Sequence, residues 1–105
     1  MKYKGKGIAC MAYGEGPSWR TSPAAATVRI AEDGTVVVQV GAVDNGQGAQ
    51  TALSQIAAEE LGVPVSDIRI VSGDTWMTPY DHGAVASRQT FFAGSAVREA
   101  AAKAR

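Results

Sequence analysis

The chain has 105 residues, of which 46% are hydrophobic, so it is long enough for one small domain with a core. Ten Lys and Arg balance ten Asp and Glu, which excludes a nucleic-acid protein that binds through bulk positive charge. No apolar run approaches the roughly 20 residues that span a membrane, and no signal peptide is recognisable, so we expect a cytoplasmic protein.

The first predicted element is a buried strand over the short apolar run Gly7–Tyr13, followed by a Gly- and Pro-containing loop at residues 14–18. Cys10 lies in this run and is the only cysteine, which excludes an internal disulfide and fits a reducing compartment. Because its neighbours are apolar, we expect Cys10 to be a buried, inert thiol.

A hairpin and a helix follow. Two runs rich in β-branched residues, 25–30 and 36–40, flank the turn signal Asp33-Gly34, which predicts a β-hairpin. Residues 49–61 then place Leu53, Ile56 and Leu61 at helical spacing, and Gly62 is suited to end that helix.

The second half predicts a strand over residues 68–71, a long irregular loop from residue 73 to about 87, and a helix from about Arg88 to Arg105. The order of strand, strand, strand, helix, strand, loop and helix predicts a two-layer α/β domain. We expect a mixed sheet with the helices packed on one face.

The turn at residues 44–48 joins the second hairpin strand to the first predicted helix. A Gly-rich turn that opens a helix exposes unpaired N–H groups at the positive end of the helix dipole, a place that can hold a phosphate. The side-chain amide of Gln47, between Gly46 and Gly48, can donate and accept hydrogen bonds. A purely structural turn explains the same pattern, and the glycine spacing matches neither a Walker loop nor a dinucleotide fingerprint.

Residues 83–90 form a second candidate cradle of the same kind. Small residues are followed by Ser87, Arg88 and Gln89 where the last helix opens, so backbone N–H groups and polar side chains would meet there. The alternative is an ordinary helix N-cap by Ser87. Both cradles would face the same sheet edge, which suits a large polar cofactor.

Candidates for catalysis are few. His82 is the only histidine, which excludes a metal cluster of several histidines. Asp74 and Asp81 lie on the long loop without a pattern that pairs them as acid and base. We therefore assign neither a catalytic nor a metal-ligating residue.

The chain resembles the molybdopterin-binding subunit of the xanthine dehydrogenase and aldehyde oxidase family. The resemblance lies in segments 41–48, 51–52, 55–64, 73–75, 78–81 and 83–90, in the family's order and spacing. It implies that residues 1–105 are a single lobe of a molybdopterin-binding domain, a fragment of a larger subunit. It implies molybdopterin with molybdenum, possibly as the cytosine dinucleotide, held by Asn45, Gly46, Gln47, Gly48, Ala86, Ser87, Arg88 and Gln89.

The family's activity is implied by the same resemblance. It is the hydroxylation of an aldehyde or N-heterocycle, with electrons leaving through iron–sulfur centres to flavin. The implied partners are the remainder of the subunit and iron–sulfur and FAD subunits or domains, with no nucleic acid or membrane. In the family the glutamate base sits in a Gly-Glu segment far downstream of these motifs, and no Gly-Glu pair follows residue 48 here. We therefore expect the piece alone to be inactive, to bind the cofactor weakly or not at all and, through exposed apolar surface, to self-associate.

Two other functions remain open from the sequence. One is a non-catalytic binding or interaction module that uses the same fold, and the other is a phosphate- or nucleotide-binding domain. The sequence does not indicate a substrate or an electron acceptor.

Overall fold

The strands of the computed structural model, which describes residues 2–14 and 22–105, form one mixed sheet in the order β1-β2-β3. Strands β1 (Ala26–Ile30) and β2 (Val36–Val40) run antiparallel, and β3 (Ile68–Ser72) runs parallel to β2. The predicted hairpin is confirmed by the antiparallel pairing of β1 with β2, and Asp33 Oδ1 accepts the N–H of Thr35 at 2.9 Å within its turn.

Two helices cover one face of this sheet. Helix α1 spans Ala49–Leu61, and helix α2 spans Gly94–Ala104. The two helices contact each other, α2 also contacts β1, and α1 contacts β3. The core between sheet and helices is built from fully buried side chains, among them Val36, Val38, Val40, Leu53, Ala57, Ala93 and Val97. The predicted two-layer α/β architecture is confirmed.

The C-terminal end of α1 follows from its sequence. The helix ends at Gly62, which has a φ of 72° and donates its N–H to the carbonyl of Ala58 at 2.9 Å. A side chain at this position would be strained, so Gly is the residue that permits this ending. A short 3₁₀ turn, Val65–Asp67, then leads into β3.

The last helix begins irregularly. Residues Gln89–Ala93 form one π-helical turn, and regular α-helix follows only from Gly94. A β-carbon at Gly94 would lie 2.8 Å from Ile56 Cδ1, the end of a flexible side chain, so α1 and α2 are in close contact at this position. The predicted continuous helix from about Arg88 is therefore correct in place but differs in its first turn. A π-helical turn in this position is typical of functional sites.

The N-terminal prediction is wrong. Residues 2–14 form no strand, and Ile8 and Met11 are 95% and 85% exposed. Cys10 is likewise exposed and not buried. The segment pairs with none of the three strands, which agrees with the exposure of Ile8 and Met11. Apart from Gly14, the predicted loop at 14–18 lies outside the described residues.

The long loop returns to the sheet at its far end. Asp81 forms an antiparallel bridge with Ala24, just before β1. A β-carbon at Gly41 would lie 2.8 Å from the backbone N and the Cβ of Asp81. Glycine at position 41 therefore lets the loop lie against the end of β2. Within the described residues, no helix combines the length and apolarity needed to cross a membrane.

Gly41→Ala should destabilise the chain by about 1–3 kcal/mol, because the added methyl group overpacks the contact with Asp81. The matched control is Gly7→Ala, where nothing lies within 4 Å of the added carbon. That variant should stay within about 0.5 kcal/mol of the unaltered chain. The free energy of unfolding in urea measures both. Equal stability of the two variants would contradict the close approach.

Candidate functional site

The two predicted turns line one open cavity of about 320 Å³. Asn45 and Gln47 come from the turn before α1, and residues 84–90 come from the second turn and the start of the π-helical segment. Tyr13 from the N-terminal segment completes the lining. Of the eight predicted site residues, six line this cavity: Asn45, Gln47, Ala86, Ser87, Arg88 and Gln89. Gly46 and Gly48 lie in the first turn without lining it.

Two glutamine side chains join the turns. Gln47 Nε2 donates to the carbonyl of Val43 at 2.9 Å and also to Gln89 Oε1. Gln89 Nε2 donates to the same Val43 carbonyl at 3.0 Å, and Gln47 Oε1 accepts the N–H of Asn45 at 2.7 Å. The carbonyl of Val43, just after β2, therefore binds both Gln47 and Gln89, which are 42 positions apart in sequence.

The N-terminus of α1 is occupied by the chain's own carboxylate. Asp44 Oδ1 accepts the N–H of Gly46 at 2.8 Å, and Oδ2 accepts the N–H of Gln50 at 3.3 Å. The Gly46 N–H, with smaller contributions from Gln50 and Gly48, lowers the pKa of the Asp44 carboxyl below its ordinary value. The expectation of unpaired N–H groups is therefore wrong at Gly46 and Gln50. A phosphate at this helix end would meet a negative charge.

The second turn has an unusual backbone. Ala86 and Ser87 have φ angles of 50° and 55°, the left-handed conformation that residues with a side chain seldom adopt. Each such residue costs about 1–3 kcal/mol unless its surroundings hold it. The N-cap position of the π-helical segment is Arg88, without a side-chain capping bond, so the alternative of an N-cap by Ser87 is wrong.

Tyr13 is a cavity residue that the sequence reasoning missed. Its hydroxyl accepts the N–H of Ala86 at 3.1 Å, across 73 positions of sequence. No local pattern could have signalled this contact, because it depends on where the N-terminal segment passes over the second turn.

The side chain of Arg88 turns into the protein. It is 1% exposed, and so is the side chain of Asp81, with which it forms an ion pair at 2.5 Å. The other guanidinium N–H groups donate to Ser22 Oγ, to the carbonyls of Ser22 and Pro23, and to the carbonyl of Gly83. Because all five N–H groups of the guanidinium have acceptors, none is left for a ligand in the cavity.

The candidate titratable residues of the long loop lie outside the cavity lining. His82 is exposed, with Nδ1 3.4 Å from the hydroxyl of Tyr80. Asp74 Oδ1 accepts the N–H groups of Trp76 and Met77 at 2.8 and 3.2 Å, which shapes the turn after β3. These contacts give Asp74 a structural role.

Comparisons with known proteins agree on one family. A family model described as "Molybdopterin cofactor-binding domain" matches residues 1–105. The chain is 48% identical over 101 residues to the putative xanthine dehydrogenase molybdenum-binding subunit XdhA of Escherichia coli (strain K12), covering 93% of this chain and 13% of that protein. It is 44% identical over 78 residues to the carbon monoxide dehydrogenase large chain of Afipia carboxidovorans, covering 74% and 10%.

Solved structures show the same relationship. The Cu,Mo-CO dehydrogenase in its carbon monoxide reduced state superposes with a TM-score of 0.77 at 39% identity, covering 87% of this chain and 12% of that one. Quinoline 2-oxidoreductase from Pseudomonas putida 86 superposes with a TM-score of 0.71 at 43% identity, covering 80% and 11%. The chain therefore spans only a small part of the length of each relative.

The Asp44 contacts predict a pH-dependent contribution to stability. Because the folded-state pKa of Asp44 is lowered from 3.8, its carboxylate stabilises the fold above about pH 4, and this contribution is lost as pH falls through the depressed value. Asp44→Asn should therefore lower the melting temperature at pH 7, and the difference from the unaltered chain should shrink at acid pH.

Glu59→Gln, on an exposed position of α1, changes the net charge by the same amount and is the control. Melting temperatures of the three chains between pH 2 and pH 7 make the comparison. A difference for Asp44→Asn that is independent of pH, or equal to that of Glu59→Gln, would contradict the assignment.

Proposed function

Since this chain belongs to the molybdopterin cofactor-binding domain family, we propose that it forms one wall of the cofactor site of a molybdenum hydroxylase. Residues 1–105 would be a single lobe of the complete site. The observation that carries the proposal is the convergence of two turns, distant in sequence, on one cavity lined by amide side chains and backbone.

The chemistry of this wall fits a pterin. A pterin edge alternates hydrogen-bond donors and acceptors without a net charge, and side-chain amides offer both functions. Asn45 supplies such an amide, Gln89 keeps one N–H and acceptor capacity, Gln47 keeps acceptor capacity at Oε1, and Ser87 lines the same cavity. The exposed side chain of Asn45 makes no hydrogen bond within the described residues, so it is free to bind a ligand. We propose that these residues hold molybdopterin, as the cytosine dinucleotide.

The role of this chain is to bind and orient the cofactor. Molybdopterin with molybdenum supplies the two-electron oxidation of the substrate when it is bound. The cavity lining contains no Asp, Glu or His within the described residues, so this wall offers no carboxylate or imidazole base. We propose that the base comes from another part of the complete subunit, and that the substrate is an aldehyde or N-heterocycle.

Exposed apolar residues support an interface with the rest of such a subunit. Ile8, Met11, Trp76 and Phe91 are each at least 69% exposed. Surfaces of this kind are typical of interaction sites. We propose that the remainder of the molybdenum-binding subunit covers them, and that iron–sulfur and FAD subunits or domains carry the electrons onward. The single, exposed Cys10 supports a reducing, cytoplasmic location.

The direct test is analysis of the complete molybdenum-binding subunit proposed to contain this chain, purified from the cells that make it. Molybdenum by metal analysis and pterin by fluorescence after oxidation should both be present in stoichiometric amounts. Protein that carries neither, or that binds nucleotide or phosphate in their place, would contradict the proposal.

Gln47→Ala should lower the molybdenum and pterin content of the purified protein by about tenfold, because the substitution removes an amide from the cavity and separates the two turns. The stability should fall by only about 1 kcal/mol, the worth of an ordinary hydrogen bond. Gln55→Ala is the matched control, since Gln55 is exposed on α1 and away from the cavity. Full cofactor content in Gln47→Ala would contradict the role of this residue.

A further inference from the structure

We propose that Arg88 is a positioning residue, whose buried guanidinium holds the left-handed turn at Ala86 and Ser87 in the shape that lines the cavity. The proposal rests on the proposed function in that the ligand held by the turn is taken to be molybdopterin. Arg88 would thus act on the cofactor through the backbone and not by touching it.

The turn needs outside support. Ala86 and Ser87 are consecutive residues with positive φ and are not glycines, so the isolated segment would prefer another conformation. Within the turn, only the bonds from Val85 N–H to Gly83 O at 3.2 Å and from Arg88 N–H to Val85 O at 3.1 Å connect neighbouring backbone groups. Such a conformation persists only where the surrounding structure holds it.

Arg88 supplies that support at both ends of the turn. Its Nη1 donates to the carbonyl of Gly83 at 3.1 Å and to Asp81 Oδ1, and the same carboxylate oxygen accepts the Gly83 N–H at 2.8 Å. Residue 83, before the turn, and residue 88, after it, are therefore tied to each other. The distance that residues 84–87 must span is set by these bonds.

The same guanidinium anchors the turn to the body of the domain. Nε donates to Ser22 Oγ, and Nη2 donates to the carbonyl of Pro23 at 2.9 Å, in the segment that leads into β1. The ring of Phe92 lies with its centroid 5.6 Å from the guanidinium carbon. Burial excludes water, so these charge-assisted bonds are stronger than they would be at the surface.

Only arginine has the geometry for this task. Its planar fork presents five N–H groups in fixed directions, whereas lysine has one compact ammonium group on a flexible stem. Arg88→Lys therefore retains the positive charge next to Asp81 and loses the simultaneous bonds to Gly83, Ser22 and Pro23. This substitution separates the geometry of the guanidinium from its charge.

The experiment compares Arg88→Lys with Leu53→Ala in the purified protein. Leu53 is 1% exposed in the core and outside the cavity lining, so its truncation destabilises the fold without touching the turn. Arg88→Lys should lower pterin content by about tenfold, and Leu53→Ala should lower it much less at an equal or larger loss of melting temperature. Equal pterin loss at equal loss of stability would overturn the proposal.

A second measurement reports on the turn itself. Amide hydrogen exchange at Val85 and Arg88, measured on protein from a host that cannot make molybdopterin, should be about tenfold faster in Arg88→Lys. Leu53→Ala should change it less. This readout does not require the cofactor. If the unaltered protein from its own cells carries no pterin, only the proposed function is contradicted. The exchange rates then still decide the role of Arg88.

Rescue by glycine gives the sharpest discrimination. Ala86→Gly removes the methyl group that disfavours positive φ, so in the Arg88→Lys background it should restore part of the lost pterin content. A guanidinium that touched the cofactor directly would not be replaced in this way, so absence of rescue would overturn the proposal.

A second variant applies if Arg88→Lys does not fold. Ser22→Ala removes one acceptor of the guanidinium and should speed amide hydrogen exchange at Val85 and Arg88 by about threefold. Unchanged exchange would overturn the proposal.

Discussion

The buried ion pair between Arg88 and Asp81 is the interaction on which the cavity depends. It joins the segment before β1, the far end of the long loop and the start of the π-helical turn. Removing one partner from such a pair leaves an uncompensated buried charge, which is far more costly than losing an exposed ion pair. The pair also leaves Asp81 Oδ2 without a partner among the described residues. The arrangement therefore favours one defined geometry of the loop over maximal stability.

Two close approaches make that geometry possible. Glycine at position 41 lets the loop pass against the end of β2, and α2 is in close contact with Ile56 of α1 at Gly94. The first places Asp81 where Arg88 reaches it. The second packs α2 close to α1, and the π-helical turn that bears Gln89 leads directly into α2. The carbonyl of Val43 then receives both glutamine side chains, and the two turns share one cavity.

The cavity offers hydrogen-bonding groups but no carboxylate or imidazole in its lining within the described residues. Its lining consists of amide side chains, small residues, Val85 and Tyr13, and its one arginine has every donor engaged inside the protein. This division suits a wall that orients a large cofactor while other parts of a larger enzyme supply the remaining contacts. The exposed apolar residues of the N-terminal segment and the loop agree with such a context. Asp44 at the start of α1 disfavours a phosphate site at that helix end.

The sequence alone determined the hairpin, α1 and its ending at Gly62, β3, and the place of the last helix, because periodicity and turn residues are local signals. Gly-rich and small-residue patterns at helix starts also marked the two turns, and the family resemblance assigned them to the cofactor. Only the tertiary structure decided that Gly7–Tyr13 forms no strand, since pairing and burial need partners that lie elsewhere in space. It also decided that Asp44 fills the first cradle, that Tyr13 contacts Ala86 and that Arg88 turns inward. Those outcomes depend on contacts between residues far apart in sequence, which no local pattern encodes.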